Sequence, residues 1–65
     1  MAFYEITVRG TLGPRVIAAL GDHPVEAQES ITILRDEFGA AGLDDILARI
    51  RDFRLELLDV RVVAA

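Results

Sequence analysis

The chain has 65 residues, a formal net charge of −4 at pH 7 and no cysteine. A chain of this length is expected to form one domain, residues 1–65, with a small core. All seven basic residues are arginine, and the negative balance argues against nucleic-acid binding, which depends on clustered positive charge. Without cysteine, disulfides and zinc-thiolate sites are excluded. Apolar residues make up 52% of the chain, which predicts that part of the apolar surface is used in self-association.

The first predicted element is a strand over about residues 3–9, because apolar and polar side chains alternate there. The alternation separates a core-facing set from an outward-facing set, namely Tyr4, Ile6 and Val8 against Phe3, Glu5, Thr7 and Arg9. A short helix is expected next, since Pro14 fits a first helical turn and Gly21 fits a helix end. Asp22, His23 and Pro24 then predict a turn.

The segment from Val25 to Phe38 is compatible with one bent strand or with a hairpin, and the hairpin is favoured. Residues 31–35 are strongly β-forming, whereas residues 25–28 alternate weakly and suit an edge strand. The turn of the hairpin is expected near Glu29 and Ser30. The phase of its second strand stays open, so either Ile31 and Ile33 or Leu34 could face away from the core.

A second helix is predicted after Gly39, followed directly by a last strand. The apolar residues of the helix lie at the spacing of one helical face: Leu43, Ile46, Leu47, Ile50 and Phe53. In the last strand the alternation predicts that Leu58, Val60 and Val62 face the core. The order strand, helix, strand, strand, helix, strand predicts an α+β, ferredoxin-like βαββαβ fold. Two helices then cover one face of a four-stranded antiparallel sheet, and we call the other face the open face.

Residues 34–58 resemble a pattern in small uncharacterised bacterial proteins of about this length, many of them actinobacterial. The resemblance rests on Gly42-Leu43-Asp44-Asp45-Ile46-Leu47-Ala48-Arg49-Ile50-Arg51-Asp52-Phe53 and the residues that continue it to Leu58. It implies a ferredoxin-like fold and no catalytic residue. Asp36 and Arg54 stand where the pattern usually has glycine, so Arg54 is expected to hold a left-handed backbone conformation at the helix end.

The sequence provides little sign of catalysis. His23, the single histidine, is interpreted as a solvated loop residue, because further metal ligands do not cluster near it. The neighbouring carboxylates Asp36 and Glu37 are interpreted as a solvated strand end. We therefore expect no catalytic residue, no metal site and no cofactor. Phe3 is the one aromatic residue expected on the open face, too few for stacking on RNA bases.

The first residues alternate rather than forming an apolar run, and no stretch reaches the roughly 20 apolar residues that span a bilayer. We therefore expect a cytoplasmic protein without membrane contact.

These observations favour a small non-enzymatic interaction module that forms a homo-oligomer, with a dimer favoured. The contact is expected on the open face or at a sheet edge, and a small ligand or a protein partner could also bind. If the isoleucines of the third strand face outward, an apolar strip would run from Phe3 through Ile33 to Leu57. The interface candidates are Phe3, Glu5, Arg9, Ile33, Leu57, Asp59 and Arg61.

Two other classes of function stay open. The first is a dimeric α+β-barrel enzyme that acts on a small apolar molecule, with Tyr4, His23 and Arg61 as the first residues to consider. The second is a regulatory module that binds a small ligand without converting it. The architecture alone does not separate these classes, because it hosts many unrelated functions.

Overall fold

The computed structural model describes residues 1–21 and 23–64. Over these residues the chain forms β1 (Ala2–Arg9), α1 (Pro14–Leu20), β2 (Val25–Gln28), β3 (Ile31–Phe38), α2 (Ala40–Asp52) and β4 (Leu57–Ala64). The strands form one four-stranded antiparallel sheet in the order β2-β3-β1-β4. The predicted ferredoxin-like α+β fold is therefore confirmed. Asp22, part of the predicted turn, lies outside the described residues.

The segment between α1 and α2 is a hairpin, as favoured from the sequence. Its two strands pair from Gln28 opposite Ile31 to Val25 opposite Leu34, so the turn consists of Glu29 and Ser30. The antiparallel path continues beyond β2, because the backbone N–H of Arg35 donates to the carbonyl of Pro24 at 3.1 Å.

The core lies between the helices and the side of the sheet that faces them. Its buried members come from four of the six elements: Ile6, Val8, Leu20, Leu34, Phe38, Ile46 and Ile50. Thr32 is also buried, and its hydroxyl donates to the carbonyl of Gly10 at 2.8 Å. This bond satisfies a polar group that would otherwise be costly to bury.

The helix boundaries agree with the expected start and stop residues. Pro14 occupies the first turn of α1, Gly21 follows its last turn, and Gly39 precedes α2. After α2, Arg54 has a φ of 59°. This is the left-handed conformation that the resemblance implied for this position, and it is unfavourable for a residue with a Cβ atom.

Leu58 and Val62 were expected to face the core, but they are 38% and 55% exposed. Expectations for two further residues are also wrong. Phe53 lies beyond the end of α2 and is 44% exposed, so it does not extend the buried face of that helix. Leu57 was expected on the open face, but the pairing of β1 with β4 shifts register between Thr7 and Val8. Leu57 consequently lies opposite Val8, on the helix side of the sheet. A β-bulge of this kind turns side chains that simple alternation would place on the other face.

Candidate functional site

The open face contains six of the seven predicted interface candidates. Cross-strand pairing places Ile33 beside Thr7, and Thr7 beside Asp59 on the other side. The isoleucines of β3 therefore face outward, and Leu34 faces the core. The six candidates that share this face are Phe3, Glu5, Arg9, Ile33, Asp59 and Arg61. Their role in an interface stays a prediction.

A network of ion pairs crosses the open face. Arg35 donates to Glu5 on the neighbouring strand at 2.8 Å and to Glu26 on β2 at 2.7 Å. The hydrogen bond from Arg35 lowers the pKa of the Glu26 carboxyl below its ordinary value. Arg61 lies opposite Glu5 and donates to Asp59 at 2.9 Å. Because these charges already have partners within the chain, the face is well suited to contact with water.

This network interrupts the apolar strip that was expected along the open face. Phe3 and Ile33 are separated by the row that contains Arg35, Glu5 and Arg61. Ile33 is only 8% exposed, so it offers little apolar area to a partner. The strip also lacks its third member, since Leu57 lies on the helix side. The open face is thus less apolar than its sequence pattern indicated.

The exposed apolar surface is concentrated at β4 instead, which is one of the two edge strands of the sheet. Among the described residues, β4 contributes four large exposed apolar side chains: Leu57 (43%), Leu58 (38%), Val62 (55%) and Val63 (54%). Leu57 also borders a groove of about 460 Å³ beside the end of α2, whose wall includes Leu47 and Ile50. An edge strand with apolar side chains is the usual template for pairing with another chain.

A second feature lies on the helix side of the sheet, near the opposite edge. Nδ1 of His23 and Oδ2 of Asp36 are 2.6 Å apart, and the two side chains are 21% and 34% exposed. This hydrogen bond, together with one from the backbone N–H of Glu37, lowers the pKa of the Asp36 carboxyl below its ordinary value. The expectation that His23 is a solvated loop residue is therefore wrong, and Asp36 is not simply a solvated strand end.

The imidazole of His23 is held from several sides. Its ring centroid lies 5.1 Å from that of Phe38. Gly21 has a φ of 116°, and a Cβ atom there would lie 2.9 Å from Nε2 of His23. Glycine is thus required at this position both by the backbone and by the nearby ring. His23 borders a groove of about 520 Å³ whose other walls are Leu12, Pro14, Ile17, Ala18 and Gly21.

The three residues considered for an enzyme do not converge. Tyr4 and His23 both pack near Phe38 on the helix side, with the tyrosine ring centroid 6.3 Å from that of the phenylalanine. Arg61 lies opposite Glu5 on the open face. The sheet therefore separates Arg61 from the other two residues.

The pairing of His23 with Asp36 could have been found from the sequence. A hairpin with a two-residue turn at Glu29 and Ser30 pairs Val25 with Leu34. Extending that register by two residues places His23 opposite Asp36, on the same side of the hairpin as the core residue Leu34. The signal was the hairpin register, which brings together residues that are far apart along the chain.

Within residues 1–21 and 23–64, no group of three or more His, Cys, Asp or Glu residues is arranged to hold a metal ion. Neither helix of the described chain has the length and apolar character needed to cross a membrane.

Comparison with known families gives a class but no activity. Residues 3–61 match the family described as Domain of unknown function (DUF8691). Since this match covers most of the chain, the protein belongs to that family. No curated protein matches the chain, and no solved structure does either.

Proposed function

We propose that this protein is a small non-enzymatic interaction module that forms a homodimer through its β4 edge. The observation that carries the proposal is the concentration of exposed leucine and valine side chains on that one edge strand. A 65-residue domain gains little stability from its own core, so burying this apolar surface against a second copy would add to it.

The open face is less suited to a dimer contact than the β4 edge. Its arginines are already paired with carboxylates of the same chain. A partner that covered the face would have to remove water from these charges, at a cost that new contacts must offset. At the β4 edge the groups to be covered are mainly apolar, and their burial is favourable.

The test is the molar mass in solution, measured by light scattering over a series of protein concentrations. The unmodified chain should have the mass of a dimer at high concentration. Val62→Asp should weaken association by roughly 100-fold, because it places a carboxylate in an apolar contact. The matched control is Phe3→Asp on the open face, which should leave the mass unchanged.

Two results would overturn this proposal. A monomer at every concentration would show that the exposed apolar edge is not used by a second copy. If Phe3→Asp dissociates the dimer and Val62→Asp does not, the contact lies on the open face instead.

A small-ligand site beside His23 is a second candidate, which corresponds to the regulatory class of function. The groove of about 520 Å³ is within the size range of small-molecule sites. Its walls are mostly apolar, and at one end Asp36 orients the imidazole of His23. A carboxylate that fixes an imidazole in this way also occurs in sites of proton transfer.

The fluorescent anion 1-anilinonaphthalene-8-sulfonate is a suitable probe, since it combines an apolar body with a negative group. Saturable enhancement that is lost in His23→Ala and kept in Val62→Asp would support this groove as the site. Enhancement lost only in Val62→Asp would assign binding to the β4 edge and count against a ligand site at His23.

The resemblance to actinobacterial-type sequences is our reason for proposing a bacterial protein, and we further propose that it is cytoplasmic. Detection of the intact chain in the soluble cytoplasmic fraction of a bacterial source would test this assignment.

A further inference from the structure

We propose that two copies join by antiparallel pairing of their β4 strands, with Val60 on the two-fold axis and Asp59 opposite the partner's Arg61. This inference rests on the proposed function above and specifies the geometry of its interface. It predicts one continuous sheet in which the four strands of each copy are joined at β4.

The sequence of β4 is nearly symmetric about Val60. Residues 57–63 of the strand read Leu57-Leu58-Asp59-Val60-Arg61-Val62-Val63, with Ala64 following, so within this run each apolar position on one side of Val60 has an apolar counterpart at the same distance on the other. The two central flanking positions carry opposite charges. In an antiparallel pair with Val60 at the centre, each residue meets its mirror position in the other copy. Leu58 then meets the partner's Val62, and Asp59 meets the partner's Arg61.

The faces of the central residues Asp59, Val60 and Arg61 are consistent with this pairing, and the register shifts of β4 against β1 lie outside them, at Leu58 and Val63. Asp59 and Arg61 are opposite Thr7 and Glu5, which places both on the open face. Val60 and Val62 are opposite Ile6 and Tyr4, on the helix side. Residues directly opposite one another in a sheet point to the same face. A shift by one residue would place apolar helix-side residues beside charged open-face residues, so only shifts by an even number are compatible with one continuous sheet.

The charges distinguish among the remaining registers. A shift by two residues in one direction places Asp59 opposite the same residue of the other copy. A shift by two in the other direction does this for Arg61. Like charges directly opposite are destabilising, whereas opposite charges are favourable. The register centred on Val60 is therefore the one in which both charged positions meet their complement.

The side chains of Asp59 and Arg61 are exposed enough to pair with those of a second copy. In the single chain Arg61 donates to Asp59 at 2.9 Å, and their side chains are 65% and 45% exposed. In the dimer each arginine lies beside one aspartate along its own strand and another across the interface. The four charges then alternate in sign at the centre of the joined sheet. The apolar residues at both ends of β4 flank this centre.

A charge-exchange experiment tests the register. Asp59→Arg and Arg61→Asp each place like charges opposite one another in a homodimer, so each variant alone should associate at least about tenfold more weakly than the unmodified chain. Mixed in equal amounts, they should form a heterodimer, because each introduced charge then meets its opposite. Circular dichroism must show that both variants are folded. If the mixture stays as weakly associated as the separate variants, the proposed pairing is wrong.

Cross-linking provides a second measurement that does not depend on charge. The chain has no cysteine, so Val60→Cys introduces a single thiol at the proposed axis. Opposite Cα atoms in an antiparallel pair are about 4.5 to 5.5 Å apart, within the range that a disulfide can span. The matched control is Val62→Cys, whose two thiols would be displaced by four residues, or about 13 Å. Oxidation should give covalent dimer for Val60→Cys and little for Val62→Cys.

The outcomes separate this inference from the proposal on which it rests. A monomeric mass for reduced Val60→Cys and for the unmodified chain would overturn self-association itself. A dimeric mass without cross-linking at position 60, or with equal cross-linking at position 62, would leave the dimer intact and overturn the register.

Discussion

The two edges of the sheet are built differently. β2 has four residues, of which Glu26, Ala27 and Gln28 are exposed, and one ion pair, between Arg35 and Glu26, connects it to β3. β4 has eight residues and exposes leucine and valine side chains near both of its ends. Short, polar edges are a common protection against pairing with other chains. The contrast indicates that one edge is protected while the other is left available.

The edges also differ in how much they contribute to the core. Val60 of β4 packs against the buried cluster, whereas Val25 of β2 lies opposite Leu34 at the rim. Val60→Ala should lower the free energy of unfolding by about 1.5 to 2 kcal/mol, and Val25→Ala by about 0.5 to 1 kcal/mol. Urea unfolding in the Val62→Asp background measures both losses of unfolding free energy without a contribution from association. Equal losses would show that the two edges are equally anchored.

The turn that leads into β4 contains a strained backbone position, whereas the turn after β2 does not. Arg54 is held at a φ of 59°, which glycine adopts without strain. Arg54→Gly should therefore raise the free energy of unfolding by about 0.5 to 1 kcal/mol, as the relief of strain exceeds the added entropy of the unfolded chain. The measurement is again urea unfolding.

Asp52→Gly is the matched control for this substitution, because Asp52 is the exposed last residue of α2. Glycine at a helical position lowers stability by roughly 0.5 to 1 kcal/mol. A loss of stability in both variants would show that the Arg54 side chain makes contacts worth more than the backbone strain.

The sequence was sufficient for the order of elements because their signals are local. Alternation indicated β1, the proline and glycine positions bounded the helices, and the resembling pattern, which usually has glycine at the position of Arg54, implied the left-handed conformation found there. These features depend on residues close together in the chain, and the structure contains all of them.

The parts that the sequence did not reveal depend on pairing between strands. Leu57 lies on the opposite face from the one expected because a bulge adds a residue to β4 near Val8. Such an insertion cannot be recognised from the alternation of side chains. His23 and Asp36 are thirteen positions apart, and only the hairpin register brings them together. The candidate site was therefore harder to predict than the fold, since its members meet through tertiary pairing.

The smallest expected effect is a pH dependence confined to the β2 side of the molecule. Hydrogen bonds from His23 and from the backbone of Glu37 lower the pKa of Asp36 in the folded chain. A carboxyl group with a lowered pKa contributes stability above its unfolded pKa, which is about 3.9, and loses it as the pH falls through the folded value. The unmodified chain should thus lose this contribution below about pH 4.

Asp36→Asn removes the titrating group but keeps a side chain of similar size. At pH 6 this variant should unfold at lower urea concentration than the unmodified chain, and the difference should shrink as the pH approaches 3. Asp59→Asn on the β4 edge is the control, measured in the Val62→Asp background so that association does not contribute. If the difference between Asp36→Asn and the unmodified chain is the same at both pH values, the carboxylate of Asp36 does not stabilise the fold through its charge. In that case the polar connections of the β2 edge would be replaceable by neutral hydrogen bonds, and the contrast between the edges would lie in their apolar side chains alone.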